Sequence, residues 1–484
     1  MLIHLKKHAF AYAILGFLAL GFAILNAHMA LPFPGVLYWD YARHFSLGYI
    51  DSPFGLPLFI KSYSFIFGYG PAAFGYINFL LFLLTSLFMY LGANALYDTK
   101  AARLVLIMSM ALPVISKFFE HLDYHLLAIA TFTASTLLIS AAVKTGKKAY
   151  MLLAGISLGW MLVSQFECVI LAGTLFIAML CIKEYRALWR WPVTYVALGV
   201  SVLFVLPFVL WQWQHHFITL TFLKSSNAGG LGFDIPGFFS AVNDYIGSIA
   251  LFFILFLVAL FRFPKEAVVR FFFLLFILLA LALNFMFMHN PILHTTLISA
   301  NIVLFFFLAG SVYKNFPRFT WGMTIVSLLV TVIFVPLNLI LQYHTFNYLS
   351  FGKLLTPLIQ SNTVIISNVV PYDNAPSYFS IELPGQPDVF ALQEVPVNYN
   401  HKGNAAVYFW QPSLTDLQKT RQADPIVFLN NAATLPVTVQ KVATCKAPIR
   451  LQSSFEKVNN ISDFLHQGFQ QGSSVIYAFE CKFI

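Results

Sequence analysis

Apolar runs of about twenty residues recur down the first 345 positions of this chain. That is the length a helix needs to cross the hydrocarbon core of a bilayer. The predicted spans are about 9–27, 71–96, 102–117, 123–143, 149–166, 168–182, 193–212, 245–261, 271–288, 294–312 and 320–341. Lipid offers no partner to a peptide group, so each run must pair its backbone internally, as a helix does. With 59% of 484 residues hydrophobic and only 10% charged, a soluble domain could not hide the apolar surface. Lys6 and Lys7 precede the first run, and no small-residue cleavage site follows Leu25-Asn26. The first run is therefore expected to be a retained span.

Charge sets the expected orientation. Fifteen Lys and Arg, from Lys6 through Lys100, Lys144, Lys147, Arg186 and Arg270 to Arg318, fall in alternate loops. The opposite loops hold four: Arg43, Lys61, Lys117 and Lys224. This bias places the N-terminus in the cytoplasm, and eleven spans carry the C-terminal part across. Asp40, Asp51, Glu120, Asp123, Glu167, Asp234 and Asp244 gather on the outer side. The net charge of +9 lies wholly in the membrane half and suits anionic lipid, so no nucleic-acid partner is needed.

Composition changes near Gln342. Short β-rich runs at Thr363–Val370, Asp388–Gln393, Pro425–Asn430 and Val475–Phe483 are separated by Pro, Asn and Gly, with one helix-like stretch at Leu414–Arg421. The reading is a membrane domain over 1–345, with a first outer loop at 28–70, and a small extracytoplasmic α/β domain over 346–484. Cys168 and Cys181 read as small apolar residues of the spans. Cys445 and Cys481 sit where an oxidising compartment permits a disulfide, and geometry decides whether they pair.

The stretch Leu31–Phe67 is the most distinctive. It packs Tyr38, Trp39, Asp40, Arg43, His44, Tyr49, Asp51 and Lys61 into one loop, a density that suits the headgroup region. From Tyr38 to Pro53 it resembles polyprenyl-phosphate-sugar glycosyltransferases of the GT-C fold, the ArnT-like and protein-mannosyltransferase-like enzymes. Tyr38, Trp39, His44, Tyr49, Asp51 and Pro53 keep that family's register. The family's leading Asp-Glu pair falls on Pro34-Gly35, which carries no carboxylate. The resemblance extends, motif by motif, to about residue 395. Glu120-His121-Leu122-Asp123-Tyr124-His125 stands where the family has an Asp of the donor site, and Asp123 matches it. Ser164-Gln165-Phe166 stands for S-K-Y, so a glutamine replaces a lysine. Pro207–Phe233 matches a further family segment and brings Lys224. Leu383-Pro384-Gly385-Gln386-Pro387 resembles a motif of the family's extracytoplasmic domain.

The resemblance implies a mostly α, GT-C-like polytopic bundle in the bacterial cytoplasmic (inner) membrane. It also implies transfer of a sugar from a polyprenyl-phosphate donor to a lipid, glycan or protein acceptor on the outer face. Such a transfer needs a base near the acceptor and cations near the leaving phosphate. Asp123 is the expected principal acid–base residue, supported by Asp51 and Glu120. Arg43, Lys61 and Lys224 would face the phosphate. Tyr38, Trp39, Asp40, His44, Tyr49 and His125 would line the substrate pocket. No cofactor is called for, although the Glu120–His125 cluster has the ligand types to hold a divalent cation. Pro34-Gly35 and Gln165 also fit a non-catalytic relative that binds polyprenyl lipid as a partner subunit. A transporter fits the spans alone, but charge is nearly absent inside them and the outer domain is large.

In intact cells, a membrane-impermeant thiol reagent should label an engineered cysteine at Ser413 and miss one at Lys147. The reverse pattern contradicts the orientation.

Overall fold

This computed structural model describes residues 9–10, 13–14, 16, 33–49, 52–68, 71–111, 125–166, 168–220, 251–261, 265–287, 293–341, 354–360, 362–368, 389–391, 414–430, 433–457 and 470–484. Two helices come from the first loop, α1 (Phe33–Arg43) and α2 (Gly55–Phe67). The bundle follows as α3 (Pro71–Leu96), α4 (Thr99–Met110), α5 (His125–Thr145), α6 (Lys148–Ser164) and α7 (Cys168–Cys181). After the short α8 (Lys183–Arg186) come α9 (Pro192–Gln214), α10 (Phe252–Leu260), α11 (Ala267–Phe287), α12 (Leu293–Asn315) and α13 (Pro317–Leu341).

Ten of the eleven predicted spans fall on helices; the first lies mostly outside the described residues. Among the described residues, four helices are long and apolar enough to cross a bilayer: Tyr76–Leu96, His125–Thr145, Pro192–Gln214 and Thr296–Asn315. Cys168–Cys181 joined to Lys183–Arg190 would make a fifth, bent by 101°. Other apolar helices, such as Lys148–Ser164 and Pro317–Ile333, have shorter described portions.

The helices differ in how much of themselves they hide. Within the apolar windows of α5 and α12, 83% and 89% of residues are buried inside the protein, against 17% for α9. Helices α5 and α12 therefore form the centre, while α9 turns Val202, Leu203 and Leu210 outward, as a lipid-facing helix does. Polar contacts tie the ends. Lys144 donates from its ammonium to the carbonyl of Leu96, satisfying a helix-end acceptor of α3. Tyr97 donates to the carbonyl of Phe306 at 2.8 Å, fastening the turn after α3 to α12.

The first loop joins this core. Tyr38, Trp39, Tyr41, Tyr49, Leu56 and Ile60 belong to the same buried cluster as Phe132, Phe272 and Phe305 of the bundle. The loop is thus part of the packed core: Trp39 and Tyr41 have no exposed area.

The C-terminal residues form a six-stranded sheet. Its elements are β1 (Val364–Asn368), β2 (Val389–Ala391), α14 (Leu414–Thr420), β3 (Ile426–Asn430), α15 (Val437–Gln440), β4 (Ala443–Cys445), β5 (Ile449–Lys457) and β6 (Gln470–Phe483). The order is β2-β1-β3-β6-β4, with β5 also on β6. Strands β1, β2 and β3 run parallel, and β6 runs antiparallel to β3, β4 and β5. Parallel neighbours need crossover connections, and α14 lies in the one before β3, with Leu417 buried on the sheet. All four predicted strands and the predicted helix are present; β4, β5 and α15 are additional. Cys445 and Cys481 face each other across β4 and β6 and form a disulfide. The closed loop spans 36 residues, a length for which chain entropy alone gives roughly 3–4 kcal/mol of stabilisation.

Candidate functional site at the first-loop end of the bundle

Helix α1 starts at Phe33, so Pro34-Gly35 sits in its first turn. Proline is tolerated there because its missing N–H would have had no partner within the helix. The position of the absent carboxylate is thus a helix start. One turn further on, the helix buries Tyr38, Trp39, Tyr41 and Ala42.

Asp40 and His44 are one helical turn apart. The Asp40 carboxylate meets His44 Nδ1 at 3.1 Å. The Asp40 side chain is 8% exposed and that of His44 is 32% exposed, so the pair runs from the interior to the surface. Two cations of this segment rest on aromatic faces. The Arg43 guanidinium lies 4.8 Å from the ring centre of Trp39, and the Lys61 ammonium lies 5.0 Å from that of Phe45. Such contacts hold a cation through the ring quadrupole.

Tyr49 closes the loop. Its ring stacks on Tyr41 with centres 4.0 Å apart, and its hydroxyl donates to the Tyr41 carbonyl at 2.7 Å. The same hydroxyl accepts from the Ser46 backbone N–H at 3.0 Å. A bridge between Gly48 and Pro53 then turns the chain into α2.

Two glycines let this loop lie directly on the bundle. A Cβ on Gly48 would stand 2.5 Å from the indole of Trp211 in α9, and one on Gly55 would stand 2.5 Å from the Val163 carbonyl in α6. Past α9 the chain returns to the loop. Gln212 donates to Thr219 Oγ1 at 2.5 Å, and that hydroxyl donates to the Tyr49 carbonyl at 3.3 Å. His216 and Phe217 make the turn, both at φ 54°, a left-handed conformation that costs a non-glycine residue about 1–2 kcal/mol. The buried bonds of Gln212 and Thr219 hold it in place.

His125 opens α5 and Gln165 follows α6. Both are buried, and the His125 Nδ1 lies within 3.1 Å of the Gln165 amide. The position where the resembled family carries lysine therefore holds an uncharged glutamine, hydrogen-bonded to His125, in this chain. His125, expected from the sequence to line a substrate pocket, is 1% exposed and hydrogen-bonds to Gln165. Val163, against which Gly55 packs, is two residues from Gln165, so this pair stands at the same end as the first loop.

Of the remaining expected residues, Tyr38, Trp39, Asp40 and Arg43 lie on α1, His44 and Tyr49 in the segment after it, and Lys61 on α2. Asp51, Glu120, Asp123 and Lys224 lie outside the described residues. Among the described residues no three His, Cys, Asp or Glu are grouped to hold a metal ion. Trp211, Gln212, His215 and Thr219 had no assigned role in the sequence reading. They lie in Pro207–Phe233, the segment from which only Lys224 was drawn, and nothing local shows that this segment meets residues 48–49.

The fold is that of the GT-C membrane glycosyltransferases. The chain superposes on the crystal structure of ArnT from Cupriavidus metallidurans bound to undecaprenyl phosphate with a TM-score of 0.64 and 11% identity, covering 96% of this chain and 97% of that one. Against the apo state of the same protein the TM-score is 0.61 at 12% identity, with 97% and 98% covered. Residues 51–211 match the family model described as dolichyl-phosphate-mannose-protein mannosyltransferase. No curated protein matches the chain in sequence. Family match and fold both point to the membrane glycosyltransferases.

Removing either member of the His125–Gln165 pair takes a buried hydrogen bond from the other, at a cost of about 1–3 kcal/mol. Gln165→Leu in the full chain should lower the thermal unfolding midpoint in detergent, and a second substitution, His125→Leu, should recover part of the loss. Unchanged melting of Gln165→Leu contradicts the pairing.

Proposed function

We propose that the chain is an integral membrane glycosyltransferase that moves a sugar from a polyprenyl-phosphate donor to an acceptor at the outer face of the cytoplasmic membrane. The observation that carries this reading is the set of charged side chains on α1 and α2, with Arg43 on the face of Trp39, Lys61 on that of Phe45 and Asp40 buried against His44. A leaving phosphate gathers negative charge as the glycosidic bond breaks, and fixed cations stabilise that charge most when little water competes. The charge bias of the loops supports the outer-face location. ArnT, whose fold this chain shares, binds undecaprenyl phosphate, which supports a polyprenyl carrier here.

In this reading Arg43, Lys61 and Lys224 bind the donor phosphate, and the buried Tyr38, Trp39 and Tyr49 fix the segment that carries Arg43. The carboxylates Asp123, Asp51 and Glu120 act on the acceptor side, an assignment that rests on the sequence. A lipid, glycan or protein is the acceptor. A second reading, a lipid-binding subunit without turnover, is favoured by Pro34-Gly35 and by the uncharged Gln165 in place of a lysine.

The test is transfer by the full chain in proteoliposomes supplied with radiolabelled undecaprenyl-phosphate mannose or glucose, in membranes that provide native acceptors. Label should move to an acceptor, and Arg43→Ala with Lys61→Ala should reduce transfer by about 10²-fold or more. Binding of undecaprenyl phosphate with no transfer of any lipid-linked sugar identifies the non-catalytic reading.

A further inference from the structure

We propose that the elbow Lys183–Arg190 lies along the membrane surface and binds the anionic phospholipid headgroups of the leaflet it meets. It stands at the end of the bundle away from the first loop, the end that the loop charges assign to the cytoplasm. Its binding of lipid does not depend on the transfer reaction.

Helix α7 begins just after Gln165, at the first-loop end, and runs to Cys181. It turns Val169, Phe176, Ile177 and Leu180 outward, as a helix in lipid does. Beyond it, α8 and the short 3-10 turn Ala187–Arg190 bend away by 101°. Tyr185 of α8 donates to Ser140 Oγ at 2.9 Å, one turn before Lys144, so the elbow meets α5 at the end opposite His125. Helices in a bilayer tilt by only about 20° from its normal on average, so an element bent this sharply from one runs close to the membrane plane.

The elbow is held firmly in that direction. Tyr185 is buried and stacks on Phe271 of α11, with ring centres 3.8 Å apart. Leu188 is buried too, and its carbonyl accepts from Thr194 Oγ1 at 2.6 Å, which ties the elbow to the start of α9. The elbow's one acid, Glu184, meets Arg270 at 3.2 Å. With Tyr185 and Leu188 directed inward, Lys183, Arg186 and Arg190 recur at helical spacing in exposed positions. Lys147 and Lys148, where α5 turns into α6, are exposed at the same end. Trp189 meets the lipid-facing Phe176 edge-on with ring centres 5.2 Å apart, and the half-buried Trp191 ends the turn. Indoles of this kind settle at the level of the headgroups. A connector that served only to orient the chain would need the charge, but neither the fixed direction nor the indole at its lipid edge. Guanidinium and ammonium groups bind phosphate oxygens. A zwitterionic headgroup adds an ammonium that the three cations repel, so the fitting partner is an anionic phospholipid such as phosphatidylglycerol.

Cys181 supplies the reporter. It is exposed at the start of the elbow, whereas Cys168 is buried and Cys445 is joined to Cys481, so a bimane maleimide labels the full chain there. The labelled chain is reconstituted in phosphatidylcholine bilayers that contain a small fraction of phosphatidylglycerol or phosphatidylcholine bearing a nitroxide near the carboxyl end of its acyl chain. Both lipids should quench the bimane, and the phosphatidylglycerol should do so about twofold more strongly or better at low salt. High salt should narrow the difference. Replacing Lys183, Arg186 and Arg190 together by Gln should abolish it while quenching by phosphatidylcholine persists. Equal quenching of wild type by the two lipids overturns the proposal, and that comparison needs no variant. Absence of quenching by either lipid, which would mean that the elbow stands clear of the membrane, also overturns it. So does a preference for phosphatidylglycerol that survives the triple substitution.

Discussion

The site depends on the direct contact between the first loop and the ends of α6 and α9. At Gly48 and Gly55 the loop backbone approaches the Trp211 indole and the Val163 carbonyl so closely that no side chain fits between. Glycine alone allows the approach, and it gains the burial of Tyr38, Trp39, Tyr41 and Tyr49 in the core of the bundle. Each large side chain moved out of water contributes about 1.5–3 kcal/mol, well above the roughly 1 kcal/mol that a glycine costs in backbone freedom. A segment rich in charge and aromatic rings thereby becomes part of a rigid framework.

Rigidity matters for the chemistry proposed. Tyr49 links the two halves of the loop by stacking on Tyr41 and bonding to its carbonyl, and Gln212 at the end of α9 and Thr219 just after it brace it. Asp40, Arg43 and His44 all project from the helix held in this way, and Lys61 comes from the helix that follows it. A leaving phosphate and an acceptor proton need groups that are already in place, since reorganisation during the reaction would raise the barrier. The left-handed turn at His216 and Phe217 is a local strain borne by the same bracing.

Much of this was legible in the sequence. Apolar runs of membrane length located the helices, because lipid forces each span to be continuous and internally bonded. The alternation of β-branched and turn residues located β1, β2, β3 and β6. Strands β4 and β5 escaped because Ala443–Cys445 is short, and Ile449–Lys457 mixes Arg, Gln, Ser and Glu into a strand held by pairing with β6. In the site, Asp40, Arg43 and His44 were visible as residue types, but burial of one carboxylate is a tertiary property. So is the partnership of His125 with Gln165, forty residues apart in sequence. The brace from Gln212 and Thr219 to Tyr49 joins segments 170 residues apart, which no local pattern reports.

The account's central claim is that the donor phosphate is bound where the first loop meets the bundle. A cryo-electron microscopy map of the full chain in nanodiscs loaded with undecaprenyl phosphate tests it most directly. The account predicts phosphate density within hydrogen-bond reach of the Arg43 guanidinium or the Lys61 ammonium, with the His44 ring facing the same space. Phosphate density at the opposite end, beside Lys144 and Lys314, would contradict it.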